Sequence, residues 1–218
     1  VAVGITQESP RTVLAYSSVS QMGLLAAVFG SGLAAGDPGA SLAAGYYAAH
    51  HVLVKGGLFL ALGILTAPRA RRPWPVLLPA AVLALGLGGL PFSGGALGEW
   101  AVKGPLGDGI VGLLAAFSAA GSTLLMLHFL GALVRSAPAD EGAEVPAASA
   151  VPWLVVALAS VVVPWALLPV VGVGGYAELL APKALWESAW PVLGGGVLAL
   201  GLRRFGGRCP NCGGDLVK

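Results

Sequence analysis

The sequence predicts an all-α membrane protein of about six transmembrane helices, one of them discontinuous around residues 91–98. Only 10% of the 218 residues are charged, whereas soluble domains average about 25%, and the mean hydropathy is +0.84. Three uncharged runs, 12–36, 109–134 and 145–177, each exceed the roughly 20 residues that cross a bilayer core. The apolar positions do not alternate, which favours helices over the strands of a membrane barrel.

The apolar runs predict five long helices. They cover residues 12–36, 39–67, 109–134, 150–175 and 186–202, the last being short for a span. Between the second and third helices, apolar residues 74–90 reach a Gly- and Pro-rich break and resume as a helix over 96–106. A Gly/Pro-interrupted helix at membrane depth indicates a transport site.

The basic residues favour one broken span over two complete ones. Suppose that the interrupted apolar stretch between the second and third helices forms one span. Of the basic residues outside the membrane, all except Lys183 then lie on the same side. Those others are Arg11, Arg69, Arg71, Arg72, Arg135, Arg203, Arg204, Arg208 and Lys218. The positive-inside rule then predicts six crossings with both termini cytoplasmic. We expect the plasma membrane of a prokaryote.

We expect residues 1–202 to form the transmembrane domain and 203–218 a polar tail. The tail contains Cys209 and Cys212, the two cysteines of the chain, in a spacing that looks like one knuckle of a zinc ribbon. Structural zinc takes four ligands, so a metal site would require a dimer or a partner, and an unmetallated tail is the favoured interpretation. No other cofactor is expected. No signal peptide is recognised, and a start at Val1 in mid-pattern suggests that residues upstream are missing.

His51 and Lys55 are the strongest candidate site residues. They are four positions apart in helix 39–67 and therefore share a face. A charge at mid-bilayer costs about 2.5–3.5 kcal/mol on insertion scales, and such residues mark ion paths. Desolvation favours the neutral form of a buried lysine, and a neighbouring histidine can relay a proton. The alternative is a lysine that snorkels to an interface, but Lys55 lies far from both helix ends. We predict that both side chains face the bundle interior.

Three further features have two interpretations each. Glu99 and Lys103, again four apart, either hold charge in a low dielectric or form an interfacial salt bridge. His128 is either a relay or a satisfied core histidine. A polar group at the start of the first long helix either holds helices together or lines a wet cavity. This group comprises Tyr16, Ser17, Ser18, Ser20 and Gln21.

Several segments resemble the antiporter-like subunits of respiratory complex I and of Mrp-type cation/proton antiporters. Residues 7–23, QESPRTVLAYSSVSQMG, resemble a helix-start motif of that family. Residues 46–63, YYAAHHVLVKGGLFLALG, resemble its H-x-x-x-K segment. Residues 89–100, GLPFSGGALGEW, resemble its discontinuous helix, and 122–133, STLLMLHFLGAL, resemble the next helix. The resemblance covers about residues 5–135.

The resemblance implies inverted five-helix repeats, of which this chain contains roughly the second. It implies that His51 and Lys55 correspond to the histidine and lysine of the family's motif. It also implies that Glu99 corresponds to the acid or base of the discontinuous helix, and His128 to the histidine of the next helix. Arg11 stands where the family has a titrating lysine, and arginine stays protonated. Because the family's upstream helices are absent, the chain is either a fragment or a short protein that a partner completes.

The sequence therefore predicts a proton-translocating membrane subunit of a complex I-like, Mrp-like or hydrogenase-like assembly. Its expected proton path comprises Arg11, His51, Lys55, Glu99, Lys103 and His128. The alternatives are a Na⁺/K⁺-linked antiporter subunit of the same family, a non-conducting structural subunit, and an unrelated membrane enzyme. At most the chain is a non-redox subunit of an NADH:quinone oxidoreductase-like complex, since no ligand set for quinone, flavin or an iron–sulfur cluster is visible. The expected partners are other membrane subunits and the lipid bilayer. No basic stripe suggests nucleic acid.

Overall fold

The computed structural model describes residues 1–67, 74–107, 109–136, 146–172 and 174–205. Every regular element in these ranges is a helix. The helices are α1 (Ala2–Ile5), α2 (Pro10–Ala35), α3 (Ala40–Leu65), α4 (Trp74–Gly86), α5 (Gly94–Leu106), α6 (Ile110–Ser136), α7 (Ala147–Val171), α8 (Tyr176–Leu179) and α9 (Pro182–Phe205). Among them α2, α3, α6, α7 and α9 are long and apolar enough to cross a membrane, and α4 is a shorter apolar helix. The predicted all-α membrane fold is confirmed.

Helix α3 lies at the centre of the bundle. It packs against α2, α4, α5, α6 and α7, and more than half of its residues are buried. A helix surrounded in this way meets protein on most of its circumference. The buried polar side chains of α3 therefore point at other helices; they are Tyr46, Tyr47, His50, His51 and Lys55.

The outer surface of the bundle is apolar. Leu114 and Phe117 of α6, Leu158 of α7 and Val197 of α9 are each at least 60% exposed. A continuous surface of this kind would favour association in water, whereas in hydrocarbon it is the ordinary exterior of a spanning helix. Helix α9 is the least buried of the five long helices.

The predicted discontinuity is confirmed, but it lies at residues 87–93 rather than 91–98. Helix α4 ends at Gly86 and α5 begins at Gly94. Ser93 caps α5, since its side chain accepts a hydrogen bond from the backbone N–H of Ala96 at 3.4 Å. A serine cap satisfies one of the unpaired amides at a helix start. The glycines after Ser93 therefore begin the second half-helix instead of extending the break.

Glycine is required where the two half-helices pass each other. A Cβ built on Gly95 would lie 1.7 Å from the carbonyl oxygen of Gly86, and one on Gly88 would lie 2.0 Å from Oγ1 of Thr123. Gly89 has a φ of 87°, which a residue with a side chain rarely adopts. The small residues of this stretch thus allow a tight crossing between α4, α5 and α6.

The remaining helix ends differ from expectation by a few residues. Helix α7 ends at Val171 and is followed by Gly172, a left-handed C-cap with a φ of 68°. Helix α9 begins at Pro182, a residue suited to the first helical turn, and continues to Phe205. The single-turn helices α1 and α8 were not predicted. The division into residues 1–202 and 203–218 stays a prediction. So does the favoured interpretation of the tail as unmetallated, because Cys209 and Cys212 lie outside the described residues. Also outside them are Arg69, Arg71, Arg72, Arg208 and Lys218.

Candidate functional site

Three polar side chains lie on one face of α3 at successive helical turns. Tyr47, His51 and Lys55 are four residues apart, a spacing that aligns side chains along a helix. All three are buried, with His51 3% and Lys55 6% exposed. The prediction that His51 and Lys55 face the interior is confirmed, and the reason is the central position of α3.

Lys55 is held by uncharged oxygen atoms of α2. Its Nζ donates to the carbonyl oxygen of Leu14 at 2.7 Å and to Oγ of Ser17. The Ser17 hydroxyl in turn donates to the same Leu14 carbonyl at 2.8 Å. Within the described residues no carboxylate forms an ion pair with Lys55. The amine is therefore positioned by hydrogen bonds alone.

The two adjacent histidines of α3, His50 and His51, are incompletely hydrogen-bonded. Both ring nitrogens of His50 and Nδ1 of His51 are buried without a hydrogen-bond partner in the described part of the chain. His50 lies against the start of α5, where a Cβ on Gly94 would be 2.8 Å from its Nδ1. Buried polar atoms are normally satisfied by protein or by ordered water. The histidines thus carry hydrogen-bonding capacity that the surrounding helices do not use.

A hydrogen-bonded chain connects α3, α2 and α6 one turn away from His51. The Tyr47 hydroxyl donates to Oε1 of Gln21, and Nε2 of Gln21 donates to Oγ of Ser122 at 2.8 Å. Ser122 completes the chain by donating to the carbonyl oxygen of Ser118 at 2.9 Å. Sequence reasoning missed Tyr47 and Ser122 and left Gln21 undecided. The available signal for Tyr47 was its four-residue spacing from His51.

Glu99 lies beside Tyr47 at a cavity of about 380 Å³. A Cβ on Gly89 would lie 2.4 Å from Oε2 of Glu99, so the carboxylate rests against the break between α4 and α5. The cavity is bounded by α5, α6 and α9 and extends from Gly107, at the α5–α6 connection, to Tyr47 in the interior. Among the described residues Glu99 has no hydrogen-bond or ion-pair partner. The cavity thus connects one end of the bundle with the half-buried carboxylate of Glu99.

Lys103 does not pair with Glu99 in this structure. Its Nζ forms an ion pair with Oε2 of Glu187 on α9, and it lies 5.6 Å from the centre of the Trp100 ring. Lys103 occupies the last turn of α5, where its long side chain reaches the bundle rim. The four-residue spacing predicted a possible pair, but the structure selects a partner from another helix.

His128 and Arg11 lie apart from these groups. Nε2 of His128 is 2.7 Å from the carbonyl oxygen of Gln7, and Arg11 is exposed in the first turn of α2. Within the described residues, no hydrogen bond or ion pair joins either residue to Lys55, His51 or Glu99. The described ranges also contain no group of three or more His, Cys, Asp or Glu side chains that could hold a metal ion.

An apolar bundle with five spanning helices, a broken helix and buried ionisable side chains is an integral membrane protein with a polar interior site. The family model described as NADH:quinone oxidoreductase/Mrp antiporter, transmembrane, matches residues 1–125, and the chain belongs to this family of membrane subunits. The match includes Arg11, His51, Lys55, Glu99 and Lys103, whereas His128 lies just beyond it. No curated protein and no solved structure matches the chain.

Proposed function

We propose that the chain is a proton-translocating membrane subunit of a complex I-like, Mrp-like or hydrogenase-like assembly. The observation that carries this proposal is Lys55, which is buried near the middle of α3 and bound only by uncharged oxygens. Breaking a buried ion pair leaves an uncompensated charge, which is costly. Because Lys55 has no carboxylate partner among the described residues, it can release its proton without leaving a buried carboxylate uncompensated.

The neighbours of Lys55 supply the rest of the proposed path. His51 lies one helical turn away and Tyr47 one turn further, so the polar groups repeat about every 6 Å along α3. That spacing exceeds a hydrogen bond, and ordered water commonly bridges buried polar groups. The unpartnered nitrogens of His50 and His51 are suitable partners for such water. From Tyr47 the path continues to Glu99 and its cavity. Lys103, His128 and Arg11 are assigned to the periphery of the path.

Na⁺- or K⁺-linked exchange is the second candidate function. The Glu99 carboxylate lines the cavity and has no cationic partner in the described structure. Carboxylate oxygen is a ligand for hard cations, so the same cavity can admit a metal ion. Transport measured with and without Na⁺ and K⁺ separates the two candidates.

The proposed orientation places both termini in the cytoplasm of a prokaryotic cell, with other membrane subunits beside the chain. The terminal guanidinium nitrogens of Arg135 and Arg203 both lie near the Cβ position of Gly131, at 3.4 and 3.3 Å. The ends of α6 and α9 therefore lie at the same side of the bundle. Lys183, at the start of α9, lies at the other. This charge asymmetry supports a cytoplasmic side that contains the arginines.

The test is proton transport by the assembled complex in sealed vesicles, recorded as a pH change across the membrane. Lys55→Ala and Glu99→Gln should abolish transport while assembly persists. Lys55→Arg should also abolish it, because arginine does not readily release its proton. Charge-matched controls are Arg204→Ala and Glu178→Gln, which remove exposed charges and should pump normally. If Lys55→Ala and Glu99→Gln both pump at the parental rate, the chain is a structural subunit.

A further inference from the structure

Two carboxylates and one lysine line the same cavity. Glu99 and Lys103 come from α5, and Glu187 comes from α9. Lys103 pairs with Glu187, and the Nζ of Lys183 lies 4.0 Å from Oε1 of the same carboxylate. The side chains of Lys103 and Glu187 are 47% and 30% exposed. Lys103 therefore lies at the rim of the cavity that contains Glu99.

Lys103 has two carboxylates within reach. Residues four apart on a helix are neighbours, and a glutamate four positions before a lysine is the favourable order for a pair. Glu99 stands in that relation to Lys103. In the structure, however, the cation is taken by Glu187, and Glu99 has no ion-pair partner among the described residues. The two carboxylates thus compete for one lysine.

Breaking the ion pair of Lys103 with Glu187 has a small energetic cost. Ion pairs between partly exposed side chains are weak, because water screens their charges. Helix α9 is fixed to α6 near Gly195, where a Cβ would lie 2.5 Å from the carbonyl oxygen of Ala120. Its ion pair to α5 lies two turns earlier along the helix, so the contact with Lys103 can break while the α6–α9 packing stays intact.

We propose that Glu187 is a positioning residue that draws Lys103 away from Glu99, so that the partner of Lys103 decides whether Glu99 holds a proton. This inference rests on the proposed function of the same site. An adjacent cation favours the ionised form of a carboxylate, and burial without one favours the protonated form. When Lys103 moves to Glu99, one proton leaves Glu99 for the cavity. When it returns to Glu187, Glu99 takes one up.

The groups that face Glu99 are few. Tyr47 approaches from α3, Lys103 lies on the same helix as Glu99, and Glu187 of α9 lines the same cavity. Lys183 contacts Glu187 and is not part of the cavity lining. Glu187 lies beyond the residues that the family model matches. The unmatched part of the chain therefore contributes to control of a carboxylate in the matched part.

The protonation of Glu99 can be measured by carbodiimide labelling. Dicyclohexylcarbodiimide adds the O–H of a protonated, apolar-embedded carboxyl group across a C=N bond, and the product rearranges to an N-acylurea. The assembled complex is labelled in membranes near neutral pH, and the peptide that contains Glu99 is quantified by mass spectrometry. Labelling does not require transport, so its outcome is independent of the Lys55 experiments.

In Glu187→Gln, Lys103 is released to Glu99, and labelling of Glu99 should fall about tenfold. Lys103→Gln should label at least as well as the parent, and the double variant should label like Lys103→Gln. Glu187→Asp, which keeps the charge, should stay close to the parent, and Glu178→Gln controls for loss of an exposed carboxylate. Parental labelling in Glu187→Gln, or reduced labelling in Lys103→Gln, overturns the proposal. Loss of the label in Glu99→Gln verifies the assigned site.

Discussion

The interior lysine and the rim lysine of this protein are held in opposite ways. Lys55 is 6% exposed and bound only by uncharged oxygens of α2. Lys103 has a 47% exposed side chain and an ion pair with Glu187. The ion pair of Lys103 thus lies where water screens charge, whereas the buried amine of Lys55 has no counter-charge among the described residues.

The difference follows from the position of each lysine along its helix. Lys55 lies near the middle of α3, which is surrounded by other helices. Lys103 lies in the last turn of α5, at the mouth of the cavity. A lysine fixed by a buried carboxylate would be held in its charged form. The absence of such a carboxylate among the described residues is therefore a property suited to proton exchange, and each prediction below tests one side of this contrast.

The largest effect is expected when glycine substitutions at the inner and outer ends of α5 are compared. In Gly95→Ala the new Cβ would lie only 1.7 Å from the carbonyl oxygen of Gly86. In Gly104→Ala the new Cβ meets no atom within 4 Å. The first should destabilise the fold by about 3 kcal/mol or more through overpacking. The second should stay within about 1 kcal/mol of the parent. Thermal unfolding in detergent measures both, and equal melting temperatures would contradict the tight crossing.

The second prediction gives the interior lysine the kind of partner that the rim lysine has. Ser17→Asp places a carboxylate beside Lys55 and should hold it protonated. Proton transport should fall at least about tenfold, a change of about 1.4 kcal/mol, while assembly is retained. Ser17→Asn is the matched neutral control and should transport clearly better. Similar rates for the two variants would show that the charge state of Lys55 does not limit transport.

The third prediction distinguishes the roles of two adjacent buried tyrosines. Tyr46 donates to the carbonyl oxygen of Pro164 at 2.7 Å, whereas Tyr47 donates to Gln21 beside the cavity. Tyr46→Phe and Tyr47→Phe should each cost about 1 kcal/mol of stability, the usual net value of a hydrogen bond. Only Tyr47→Phe should lower proton transport. Equal losses of transport would assign Tyr47 a structural role alone.

The smallest effect is expected at the rim. Removing the ion pair with Glu187→Gln should change the free energy of unfolding by about 0–1 kcal/mol. The difference from the parent should shrink in concentrated salt, which screens exposed charges. Thermal unfolding at low and high salt measures this. A large, salt-independent loss would mean that the pair supports the fold.

Local pattern was sufficient to predict the five long helices and the broken span, although not the single-turn helices α1 and α8. It was also sufficient to predict that His51 and Lys55 face inward, because a charge in an apolar run must avoid lipid. It was not sufficient for hydrogen-bond partners. Gln21 bonds to Tyr47, 26 residues away, and to Ser122, 101 residues away. The roles of these residues in proton transfer stay predictions.

The sequence by itself determined that the chain is an integral membrane protein, where its long apolar helices lie, and which side chains lipid would exclude. These properties depend on hydropathy and on spacing within single helices. Only the tertiary structure decided which groups form contacts. Lys55 donates a hydrogen bond to Ser17, Tyr47 donates one to Gln21, and Lys103 forms an ion pair with Glu187 rather than with Glu99. Such choices depend on how helices far apart in sequence pack together, and glycines at the crossings set how closely they approach.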